Sequence, residues 1–66
     1  MMNEDEILTS AKAVRIFTDL IFKPKGKKTI FSRDEEKTVD ACVNAIKRIT
    51  GRDFTAEVTD NWITIE

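Results

Sequence analysis

From Ser32 to Gly51 apolar residues recur every three or four positions. Val39, Cys42, Val43, Ala45, Ile46 and Ile49 share one stripe, and Arg33, Glu36, Lys37, Asp40, Asn44 and Lys47 fill the opposite face. This is the periodicity of a helix packed on one side. Its ends are marked as well. Ser32-Arg33-Asp34-Glu35 fits a capping box, in which the Ser32 hydroxyl accepts from the Glu35 N–H and the Glu35 carboxylate returns to Ser32. Asp34, Glu35 and Glu36 suit the positive end of the helix dipole, and Lys47 and Arg48 the negative end. Gly51 supplies the left-handed residue that stops the helix.

A second helical pattern precedes it. Asn3 with Glu6 reads as a weaker capping box that opens a helix running to about Phe22. Ile7, Ala11, Val14, Phe17 and Ile21 share a face, flanked by Leu8, Ala13, Leu20 and Phe22, while Ile16 stands among polar neighbours. The apolar arc is wider than a single packing neighbour requires. Ile16 and Leu20 are therefore expected on a surplus apolar edge that faces a partner. Lys23-Pro24-Lys25-Gly26 reads as a type I turn that ends this helix, and Lys28–Phe31 as a short strand leading into Ser32.

After Gly51 the period changes from helical to alternating. Phe54–Thr59 and Trp62–Glu66 flank Asp60-Asn61, two residues that tolerate the left-handed positions of a tight hairpin turn. With Thr59 opposite Trp62, Phe54, Ala56, Val58, Ile63 and Ile65 all fall on one face. A slip of one residue would scatter them, so the side-chain pattern selects this register. Together these elements predict a single α+β domain over residues 1–66, in the order helix, short strand, helix, hairpin, with two helices packed on one face of a small antiparallel sheet. The order is similar to that of a winged helix lacking one helix, but no glycine or proline between Ser32 and Thr50 breaks the long helix into a supporting and a recognition segment.

Composition narrows the chemistry. A chain of 66 residues has little core to spare, and with one cysteine and no histidine neither an internal disulfide nor a common zinc site can staple it. Packing, self-association or a partner must supply the remainder. The acidic stretch Met1–Glu6 lacks the basic region of a secretory signal, and no apolar run approaches membrane-spanning length. The cytoplasm, where thiols stay reduced, is the expected location. Cys42 sits on the apolar stripe of the long helix and reads as a small core residue. Asp34, Glu35 and Glu36 point in different directions from successive helix positions, so they do not converge on a metal. With two glycines 25 residues apart there is no phosphate-binding loop, and histidine and tyrosine are absent. No cofactor, metal or catalytic activity is expected.

Two surface features remain. Trp62 falls on the polar face of the hairpin beside Glu57, Thr59 and Thr64, where an exposed aromatic is a natural interface anchor. Lys23, Lys25, Lys27, Lys28 and Arg33 place five positive charges within eleven residues. The sequence reading is thus a small non-catalytic cytoplasmic interaction protein of the regulator or inhibitor type, which binds a larger protein through an exposed surface and can do so as a homodimer. Its expected contact residues are Trp62, Glu57, Thr59, Ile16 and Leu20. The alternative is a nucleic-acid-binding module that uses Lys25, Lys27, Lys28 and Arg33.

Overall fold

The computed structural model describes residues 10–66. They form α1 (Ala11–Ile21), β1 (Thr29–Ser32), a single 3-10 turn (Arg33–Glu35), α2 (Glu36–Thr50), β2 (Ala56–Val58) and β3 (Trp62–Ile65). The strands make one antiparallel sheet in the order β1-β3-β2, and the two helices pack on each other and on one face of it. This is the predicted α+β class, with the short strand present and one residue later than its pattern suggested.

Among the described residues the first helix begins at Ala11. Ser10 is extended, and its hydroxyl accepts from the Ala13 N–H at 3.1 Å, which makes Ser10 the cap. The expected helix is therefore interrupted at Ser10, and the expected cap at Asn3 and Glu6 lies outside the described residues. The buried stripe also differs from the expected one. Ala13, Ile16 and Leu20 are fully buried, Phe17 and Ile21 are half-buried, and Val14 is exposed. The helix is turned by roughly a quarter from the predicted face, at about 100° per residue. Ala13 accounts for this orientation. Its small side chain lets the helices close until the Cys42 thiol donates to the Ala13 carbonyl at 3.5 Å.

The capping box is not realised. Ser32 caps a 3-10 turn by accepting from Asp34 N–H at 3.4 Å, while the Glu35 carboxylate accepts from Arg15 of α1 at 3.0 Å. The cross-element ion pair draws Glu35 away from its local return. At the other end Gly51 adopts φ 78° and its N–H reaches the Lys47 carbonyl at 2.9 Å, as predicted. Of the predicted stripe, Val39, Cys42, Ala45 and Ile46 are buried. Ile49, in the last turn, is 71% exposed.

The turn after α1 falls one residue later than predicted. Lys27 N–H donates to the Pro24 carbonyl at 3.2 Å with Gly26 at φ 85°, the left-handed third position of a type II turn. Arg52 holds this turn against the start of the hairpin: its guanidinium donates to the Lys23 carbonyl at 2.7 Å and lies 4.7 Å from the Phe54 ring centre.

The hairpin register is the predicted one. Ala56 pairs with Ile65, Glu57 with Thr64 and Val58 with Ile63, and Thr55 and Glu66 exchange two backbone bonds. Its turn is not. Neither Asp60 nor Asn61 has a positive φ. The Thr59 hydroxyl instead accepts from Trp62 N–H and donates to the Trp62 carbonyl, both at 3.2 Å. That leaves the Thr59 carbonyl to accept from Arg33 at 2.8 Å. Ile63 and Ile65 enter the core beside Phe31, Val39, Cys42 and Ile46. Ala56 and Val58 stay exposed on the same face, because the helices do not reach across to β2.

Candidate functional site

With the helices on one side, the other side of the sheet is covered by no other described element. Pairing of Ile30 with Thr64, of Thr64 with Glu57 and of Ser32 with Trp62 puts these residues on that outer face, together with Thr59. Ile30 is 64% and Trp62 55% exposed, and with Thr59 and Thr64 they line one shallow hollow. They stand diagonally across neighbouring strands, within reach of each other. Among the expected contact residues, Trp62, Glu57 and Thr59 are thus surface residues of one face. Ile30 belongs with them and was missed by the sequence reading. Its signal was the short strand itself: once Phe31 points inward, Ile30 must point outward.

Ile16 and Leu20 do not belong to this surface. Both are fully buried in the core between the helices and the sheet. The expectation of a surplus apolar edge there is corrected by the orientation of α1, which turns these two residues inward and leaves Val14 and Phe22 outside.

The basic stretch divides in two. Lys25, Lys27 and Lys28 are exposed on the turn between α1 and β1, but Lys23 is only 5% exposed, with its stem packed inward and its ammonium 3.4 Å from the Pro24 carbonyl. Arg33 lies at the far end of β1, about 16 Å from Lys28 at the usual strand rise. It is engaged there, 2.6 Å from Glu36 and 2.8 Å from the Thr59 carbonyl, bracing the hairpin against the start of α2. The positive patch therefore keeps three of its five charges. Phe22 stands 79% exposed next to it, lining with Asp19, Lys27, Lys28 and Ile30 a hollow between the end of α1 and β1.

Among the described residues no group of three or more acidic or cysteine side chains is gathered as for a metal ion, and no helix is long and apolar enough to cross a membrane. Burial and the neighbouring Glu36 raise the Asp40 carboxyl above its ordinary pKa, but Asp40 stands exposed on the polar face of α2. Cys42 is fully buried, and burial pushes its thiol up. The folded state thus holds the thiol proton more tightly than the unfolded chain. That contribution to stability is complete below the ordinary thiol range and is lost as pH rises through the raised value. At pH 8 a thiol reagent is expected to label the native protein far more slowly than the urea-unfolded chain. Equal rates would show that the thiol is accessible.

Comparison with protein families, with curated proteins and with solved structures finds no match for this chain.

Proposed function

We propose that this chain is a small non-catalytic interaction protein of the regulator or inhibitor type, acting in the cytoplasm, which binds a larger protein through the outer face of its sheet. One observation supports the reading most directly. Ile30 and Trp62, two large apolar side chains more than half exposed, share a hollow on a face that neither of the described helices covers. Exposed apolar residues grouped in this way, with hydroxyl and carboxylate neighbours at Thr59, Thr64 and Glu57, have the composition of an interface centre with a polar rim.

The test is a pair of variants. Trp62→Ala and Ile30→Ser are each expected to leave the melting temperature within a few degrees of the parent, since both side chains lie outside the core. Each should abolish capture of the partner, identified by mass and confirmed with the purified proteins. Trp62 is the sole tryptophan, so its emission should also shift to the blue when the partner docks. Capture undiminished in both variants would overturn the proposal. Salt-dependent binding of a short duplex, lost when Lys25, Lys27 and Lys28 are neutralised and indifferent to Trp62→Ala, would favour the nucleic-acid alternative instead.

A further inference from the structure

Among the described residues nothing pairs with the outer side of β1 or of β2, and the backbone geometry of these two edges can be read from the ladder. Arg33 N–H donates to the Asn61 carbonyl at 3.0 Å, continuing the β1–β3 ladder. In an antiparallel pair bonded and non-bonded residues alternate, so Thr29 and Phe31 bond to β3 while Lys28, Ile30 and Ser32 turn their N–H and C=O groups outward. By the same rule the reciprocal bonds between Thr55 and Glu66 leave Ala56 and Val58 facing outward from β2. Either edge therefore offers unpaired backbone groups. Neither strand contains a proline or a lysine to blunt it.

Charge and shape separate the two. The β2 edge is flanked by Glu57, Asp60 and Glu66, with Lys25 and Arg52 near its start, and the described helices make at most slight contact with β2. The β1 edge is flanked by the exposed Lys27 and Lys28 against a single Asp19. It also has a wall. The hollow between β1 and the last turn of α1 runs from Thr18 and Phe22 to Lys28 and Ile30, so an incoming strand would find backbone on one side and a helix on the other. We propose that the β1 edge takes an extended acidic segment of the partner protein as a fourth strand of the sheet, lying in the groove between β1 and α1.

The inference rests on the reading of this chain as a protein-binding module and names the kind of segment that it binds. Main-chain bonds to Ile30 and Lys28 align the segment, and its side chains alternate between two environments. Those on the outer face meet Ile30 and the lysines, and those turned toward α1 meet Phe22. Acidic residues alternating with apolar ones satisfy both.

The probe is a blocked six-residue peptide of alternating glutamate and valine, titrated into the isotope-labelled full chain and followed by amide NMR. Binding is expected to move the amide signals of Thr29–Ser32 and to slow exchange of the Ile30 amide. The same peptide with lysine in place of glutamate should bind roughly tenfold or more weakly. Ile30→Pro removes the outward N–H together with the Ile30 side chain but no bond to β3, so β1 stays in the sheet and peptide binding is lost, whereas Ile30→Ala, which keeps the N–H, still shows the shifts at β1. Should that variant unfold, Lys27→Glu with Lys28→Glu, both at exposed positions, is expected to reverse the charge preference. Any of four results overturns the proposal: no shift at β1, equal binding of the two peptides, shifts centred on the β2 edge, or displacement of the peptide by a second copy of the chain or a nucleic-acid duplex. Partner capture that Trp62→Ala abolishes, combined with no peptide binding, would remove the edge proposal and leave the interaction reading standing.

Discussion

Ile16→Ala is expected to lower the free energy of unfolding by about 2–5 kcal/mol, the usual cost of truncating a large aliphatic side chain in a packed core. Ile16 is fully buried, in a cluster with Ala13, Leu20, Phe31, Val39, Cys42, Ile46, Ile63 and Ile65 that draws on every described helix and on strands β1 and β3. A domain of this size has about 3–10 kcal/mol of stability in all. The variant is therefore expected to lose a large share of its stability and to melt well below the parent. Urea titration followed by circular dichroism measures it directly. The result also decides between two roles for the residue. A docking residue on a surplus edge would be replaced with little change in stability and would lose only the partner. A loss of stability under about 1 kcal/mol would return Ile16 to the surface and refute the orientation of α1.

Phe31→Ala should cost about 3–5 kcal/mol, and the damage should be uneven. Phe31 is the only buried side chain of β1. Its neighbour Ile30 points the other way, and the remaining attachment is one antiparallel ladder to β3, whose bonds are each worth only about 1 kcal/mol net. Without the phenyl ring β1 is expected to open before the rest, with fast amide exchange at Thr29 and Phe31 while the β2–β3 ladder keeps its protection. Trp62→Ala, which removes a larger ring from the outer face, is the control. If the two substitutions cost the same, the division of the sheet into a packed and a bare face is wrong.

The contrast between these two aromatics shows what could be read in advance. Phe54–Thr59 and Trp62–Glu66 carry a period-two pattern on both strands, and only one register places both apolar sets on one side. Trp62 was accordingly assigned to the outer face correctly. The end of α2 was equally legible, because Gly51 in the left-handed conformation is a local backbone requirement. Its start was not. Glu35 has two candidate partners, Ser32 nearby in the chain and Arg15 twenty residues away, and nothing local says that α1 will bring Arg15 to it.

The same reason explains the orientation of α1. Ala13, Ile16, Phe17 and Leu20 repeat with helical spacing just as Val14, Phe17 and Ile21 do, so two overlapping stripes compete for one core. Only the approach of α2 at Ala13 and Cys42 separates them. The hairpin turn follows suit: Asp60-Asn61 permits a left-handed turn, but Thr59 bonds Trp62 through its hydroxyl and gives its carbonyl to Arg33, an arrangement that needs the hairpin and the start of α2 to be neighbours. For the same reason five basic residues close in sequence become a three-lysine patch, with Lys23 folded inward and Arg33 employed at the other end of β1.

By itself, then, the sequence determined the α+β class, the two helical segments and the hairpin with its register, because each depends on periodicity or on residues within a few positions of one another. The tertiary structure decided which stripe of α1 is core, that Ile16 and Leu20 are not surface, and that Ile30 joins Trp62 on a bare face. Those outcomes depend on which elements meet, and contacts between residues far apart in the chain leave no periodic trace in either partner.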